Sequence, residues 1–121
     1  MKTGLALLIC LLASCAGLQK SAAVSLVGEW QYTDKIQSCY YVFKEDGSFR
    51  GEVTFRGRIL SKFTGRWSVS DSALLYEYTN DVLGRIPVGT RDRDKLLSVE
   101  KDSFAIEAAD GNHRRYIRIA R

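Results

Sequence analysis

The stretch Phe49-Arg50-Gly51-Glu52-Val53-Thr54-Phe55-Arg56 decides the fold class. Phe49, Gly51, Val53 and Phe55 alternate strictly with Arg50, Glu52, Thr54 and Arg56. Successive side chains of a β-strand point to opposite faces, so a period of two sets the apolar residues against a core and the charged ones in water. A helix needs apolar residues three and four apart, and this spacing would scatter them around its circumference. Asp46-Gly47 just before the stretch is a hairpin-turn signal, and Gly57 just after it breaks the strand.

The same scheme extends in both directions. Residues 62–70 place Phe63, Gly65, Trp67 and Val69 inward and Lys62, Thr64, Arg66 and Ser68 outward. Asp71-Ser72 turns the chain, and Leu74, Tyr76 and Tyr78 alternate on the next strand. Upstream, residues 27–33 set Gly28, Trp30 and Tyr32 on one face, and residues 38–44 are rich in Tyr, Val and Phe. Downstream, residues 80–94 hold the only proline (Pro87), two glycines and the run Arg91-Asp92-Arg93-Asp94, which reads as a long loop with room for a short edge strand. Strands follow over residues 95–100, 103–108 (Phe104 and Ile106 inward) and 114–120, with turns at Lys101-Asp102 and Asp110-Gly111-Asn112. No stretch carries a helical stripe. The prediction is an all-β domain over residues 26–121, a small antiparallel up-and-down β-barrel of about eight strands. A sandwich is the alternative, but its crossovers need longer connections than this chain supplies.

At 121 residues the chain is one domain. Behind Lys2, residues 5–12 are an unbroken apolar run, well short of the ~20 residues that span a bilayer and matched to the core of an export signal. The run ends in Leu12-Ala13-Ser14-Cys15. Removing residues 1–14 leaves 17 Lys+Arg against 14 Asp+Glu, a net charge of +3. That mild excess permits attraction to anionic headgroups and falls short of the dense basic stripe that nucleic acid asks for. Cys10 would leave with the signal, so Cys39 has no internal disulfide partner and is expected to be a buried thiol.

Leu12-Ala13-Ser14-Cys15 resembles the lipobox of bacterial lipoproteins. The resemblance implies cleavage before Cys15, lipidation of Cys15 with diacylglyceryl and acyl (palmitate-type) chains, and a flexible tether over residues 15–25. The plain alternative is a secretory signal cut near Ala13 or Ala16. Ala16 in place of an Asp implies, under the family's sorting rule, the outer membrane facing the periplasm. Within the domain, Gly28-Glu29-Trp30 is similar to the Gly-x-Trp signature of lipocalin-like domains, in which the Trp plugs one end of the barrel. Phe43-x-x-Asp46-Gly47-x-Phe49, Gly65-x-Trp67 and the ending Asp110-Gly111-Asn112-x-Arg114-x-Tyr116-x-Arg118-Ile119 resemble small bacterial lipocalin-like lipoproteins. The resemblance implies a binding barrel with Arg118 stacked on Trp30. The chain is shorter than a full lipocalin and lacks its C-terminal helix, so ligand transport does not simply carry over.

Catalytic constellations are thin. His113 is the only histidine and sits beside a turn, so neither a triad nor a zinc site is easily built, and no cofactor or metal is expected. Asp92 and Asp94 share one face of an extended segment, and with Arg91 and Arg93 interleaved they read as a solvated charge cluster rather than a calcium or acid–base site. Glu77 is expected outward. Trp30, Tyr32, Phe49, Phe55, Phe63, Trp67, Tyr76, Tyr78, Phe104 and Tyr116 are the candidate ligand-lining residues. They either line an apolar cavity or fill the barrel, and so many large rings favour filling. Arg50, Arg56, Arg58, Lys62 and Arg66 form an outward basic face, solvated or a weak patch for headgroups or a partner. The expected function is therefore non-enzymatic: a membrane-anchored binding module for a small apolar ligand or lipid, or alternatively an assembly lipoprotein that recognises another envelope protein.

Overall fold

The structure, a computed structural model, describes residues 22–121. Cys15, the apolar run before it and most of the expected tether lie outside the described residues. Residues 22–26 form one helical turn, so ordered structure begins earlier than the expected boundary at Leu26. Leu26, the first residue of the expected domain, is fully buried, and Ala23, within the expected tether, packs on the core.

Eight antiparallel strands follow: β1 (Gly28–Thr33), β2 (Gln37–Phe43), β3 (Ser48–Phe55), β4 (Arg58–Ser70), β5 (Ala73–Asp81), β6 (Arg91–Val99), β7 (Ser103–Glu107) and β8 (His113–Ala120). Each pairs with its sequence neighbour, and β1 also pairs with β8 through Glu29↔Ala120 and Trp30↔Arg118, which closes the barrel. The sandwich alternative is thereby set aside. The fold is the predicted up-and-down barrel, and closure removes both sheet edges.

The turns follow from local chemistry. Arg56 and Gly57 take φ of 51° and 78°, and Asp71 and Ser72 take 50° and 60°. Positive φ at both central residues matches the right-handed twist of the flanking strands in two-residue hairpins. Asp46 accepts the Ser48 N–H at 2.9 Å, and Asp110 accepts the Asn112 N–H at 3.0 Å. Two departures from the sequence reading come from strand geometry. β6 begins at Arg91, so the charged run belongs to a strand and only residues 82–90 are loop. Phe55 is exposed rather than inward. It pairs with Arg58 at the tip of the β3–β4 hairpin, beyond a bulge at Val53/Thr54, where no barrel interior remains to receive it.

One end of the barrel is sealed. Trp30 is fully buried there and its Nε1 donates to the Leu26 carbonyl at 2.8 Å. Trp67 Nε1 donates to the Lys44 carbonyl at 2.9 Å. Arg118 stacks on Trp30, with Cζ 4.1 Å from the ring centroid, as the lipocalin resemblance implies. Its guanidinium donates to the carbonyls of Ser25 (2.6 Å), Val27 (2.8 Å) and Lys101 (2.9 Å). One side chain thus ties the helical turn, the residue that leads into β1 and the β6–β7 turn together. Gly28 of the Gly-x-Trp motif has φ 135°, and a Cβ there would strike the Arg118 guanidinium and the Ala120 carbonyl. At Gly65, beside a bulge, a Cβ would run into the Glu77 carbonyl and the Phe49 ring.

Arg118→Met keeps an apolar stem over Trp30 but leaves three carbonyls without their donor, so it should lower unfolding stability by about 2–3 kcal/mol. Arg118→Lys should recover less than half of that, because an ammonium cannot reproduce the planar fork. Gly65→Ala should cost about 1–3 kcal/mol through overpacking. Urea denaturation of the three variants beside the parent checks all of these values.

Candidate functional site

Aromatic rings fill the barrel from the sealed end upward. Phe104 meets Trp30 edge-on at 4.8 Å and stacks on Tyr116 at 4.8 Å. Tyr41 lies among them, 5.7 Å from Phe43, Phe63 and Tyr116 and 5.9 Å from Tyr76. Phe49 and Tyr78 complete the packing against Phe63, at 5.9 and 5.1 Å. Each such pair contributes about 0.5–1.5 kcal/mol beyond its buried area.

Space remains at the opposite end, in a cleft of about 280 Å³. Its lining comes from β2 (Gln37, Cys39, Tyr41), β5 (Tyr76), β6 (Asp92, Asp94), the β7–β8 turn (Asp110) and β8 (Arg114, Tyr116). The inward face of β6 runs Asp92, Asp94, Leu96, while Arg91, Arg93 and Lys95 point to solvent. Asp94 is therefore carried into the barrel by the same alternation that carries Leu96. The Tyr76 hydroxyl donates to Asp94 Oδ2 at 3.0 Å.

The electrostatics are those of a half-dry site. Burial pushes the Asp94 carboxyl up to about 6, against the opposing pull of the Tyr76 hydrogen bond and the Arg114 charge. Burial also holds the hydroxyls of Tyr41, Tyr76 and Tyr116 well above the usual phenol range, so they are neutral. Cys39 is buried and its thiol is pushed up, which makes it a weak nucleophile. Burial opposes the charge of Arg114, but Tyr116, Cys39, Asp110 and Asp94 outweigh it. Arg114 also lies over the Tyr32 ring, 5.9 Å from its centroid. Asp94 and Arg114 share the cleft without forming an ion pair with each other or, among the described residues, with any other group.

Of the candidate lining residues, only Tyr76 and Tyr116 reach this cleft. Trp30, Phe49, Phe63, Trp67, Tyr78 and Phe104 are core, Tyr32 sits near the mouth and Phe55 lies outside the barrel. The solvated reading of Asp94 is overturned, because its strand faces it inward. Tyr41, Cys39, Asp94 and Arg114 were the residues missed. Period-two alternation through Leu96 carried the signal for Asp94; the doublet Tyr40-Tyr41 hid the phase of β2. His113 is exposed, with Nε2 3.0 Å from Glu107 Oε1, and Glu77 faces out, 3.7 Å from Arg91. Among the described residues no group of three or more His, Cys, Asp or Glu is placed to hold a metal.

No protein-family model matches the chain, and no curated protein matches it. Among solved structures, a lipocalin-like protein from Bacteroides uniformis ATCC 8492 superposes with a TM-score of 0.58 at 21% identity, covering 78% of this chain and 99% of the other. The chain therefore has a lipocalin-like fold: an all-β, antiparallel, closed eight-stranded barrel.

Proposed function

We propose that this chain is a membrane-tethered, non-enzymatic binding module whose mouth cleft takes a small polar ligand carrying both a donor or cationic group and an acceptor or anionic group. The observation that carries this reading is the pair Asp94 and Arg114, opposite in charge, set in one half-buried cleft and not paired with each other. A partly desolvated carboxyl without a countercharge is costly, and a ligand that meets both groups removes the cost. At about 280 Å³ the cleft lies just below the ~300–1,000 Å³ of drug-sized sites, so the ligand is small. An apolar ligand or lipid would have to displace packed rings, which weighs against that form of the expectation. A protonated Cys39 and a histidine outside the cleft support binding over catalysis.

Lipid attachment at Cys15 through Leu12-Ala13-Ser14-Cys15 would hold the barrel in a bacterial envelope, at the outer membrane facing the periplasm. Metabolic labelling with palmitate should mark the parent chain and not Cys15→Ser; equal labelling of both would remove the anchor.

Native mass spectrometry of gently extracted protein should show a retained small polar molecule. Arg114→Leu should weaken its retention about tenfold or more without changing the fold. If the parent retains nothing, and a panel of small zwitterions produces no binding heat, the ligand reading fails.

The cleft also predicts a pH-dependent stability. Asp94 has a folded value of about 6, above the ~3.9 of an unfolded chain. Protonation therefore favours the native state: the contribution is complete below the unfolded value and is lost as pH rises through about 6. Asp94→Asn should stabilise the protein by about 1–2 kcal/mol at alkaline pH, an amount reduced for partial exposure, and by almost nothing near pH ~4. Urea denaturation at both pH values checks this; a pH-independent difference would show that Asp94 is solvated.

A further inference from the structure

We infer that one arc of the open rim docks on an anionic lipid surface. The four connections at that end follow β1, β3, β5 and β7. The first three carry exposed large apolar side chains: Ile36 after β1, Phe55, Ile59 and Leu60 around the β3–β4 hairpin, and Val82, Leu83 and Val88 after β5. Val82 and Val88 are 68% and 76% exposed, far more than a satellite of the core would be. The three connections adjoin one another. The Arg56 N–H donates to the Ile36 carbonyl at 2.6 Å, and the Val82 N–H donates to the Lys62 carbonyl at 2.8 Å.

The charge on this arc is predominantly positive. Residues 55–62 contribute Arg56, Arg58 and Lys62 and no acid, and residues 82–90 contribute Arg85 and no acid. All four cations are exposed. Lys35 adds another, beside Asp34, whose carboxylate is kept ionised by the Ile36 N–H, the Tyr32 hydroxyl and the Gln37 N–H and is the one acid among the arc's loop residues. Glu52 faces Lys62 directly across the β3–β4 pair, at the same height, and offsets part of its charge. Asp81 is buried beneath the arc, where it accepts the N–H groups of Lys62, Leu83, Arg85 and Ile86. The fourth connection, after β7, is instead polar, with Asp110 in it and Glu107 and His113 at its base.

Asp81 makes the arc a built surface. Its carboxylate pins the backbone of residues 83–86, and Ile86 turns in against the core while Val82, Leu83 and Val88 are held outward. Apolar tips distributed over three loops and ringed by cations suit the headgroup boundary, where apolar side chains enter and Arg and Lys meet phosphate. The core of a protein–protein interface is depleted of charged residues, whereas here cations are interleaved with the apolar tips. Arg56 lies over the Phe55 ring, 5.4 Å from its centroid, and so presents its cation on an apolar body.

The apolar run over residues 5–12 would itself partition into vesicles, so the test uses a local probe. Trp30 and Trp67 are buried at the sealed end, so Val88→Trp adds the one tryptophan at the rim of the described residues. With phosphatidylglycerol vesicles the emission of that tryptophan should shift to the blue and be quenched by bromine-labelled lipid. In a Val88→Trp chain that also carries Arg56→Glu, Arg58→Glu and Lys62→Glu the effect should fall about tenfold or more. Ile119→Trp, on the outer wall near the sealed end, should show neither response. The proposal is overturned if Val88→Trp is unchanged by the vesicles, if phosphatidylcholine vesicles act equally, or if Ile119→Trp is quenched to the same degree. It is also overturned if soluble polyglutamate produces the full shift, which would point to an acidic protein in place of a membrane.

Discussion

An eight-stranded barrel encloses an interior only just wide enough for side chains. Once β1 pairs with both β2 and β8, that volume is set, and the inward residues must fill it. Here they are mostly rings. Phe43, Phe49, Phe63, Tyr76 and Tyr116 all meet Tyr41 within 6.4 Å, so the middle of the barrel is a single aromatic cluster. The room for anything else is confined to the end where the rings run out. The filled interior therefore determines both the stability of the fold and the position and size of its cleft.

The two ends are built on opposite principles. At the sealed end every polar group on display is answered: indole N–H groups by backbone carbonyls, and the Arg118 fork by three carbonyls and a tryptophan face. At the open end a carboxyl and a guanidinium share a half-buried cleft without pairing. Ionisation of Asp94 works against folding, and the proposed binding role rests on that feature.

Most of the fold was legible in the alternation of residues 49–56 and 62–70, because one buried face leaves little freedom of register. Arg118 on Trp30 was reachable only through a resemblance, since no local pattern links positions so far apart in the chain. The start of β6 was obscured because four consecutive charges read as solvent-exposed, although alternation still runs through them. Phe55 fits the inward pattern and yet lies outside, because periodicity says which face a residue takes and not where the barrel wall ends. The cleft was the least legible part. Its residues come from β2, β5, β6 and β8, and only closure brings them together.

Everything said of the cleft depends on Asp94 being a half-dry group inside the barrel mouth. The most direct measurement is the titration of its carboxyl carbon by NMR in the free protein. The midpoint should lie at about 6 and rise further in Tyr76→Phe, which removes the donated hydrogen bond. A midpoint near the ~3.9 of a solvated aspartate, unmoved by Tyr76→Phe, would contradict it.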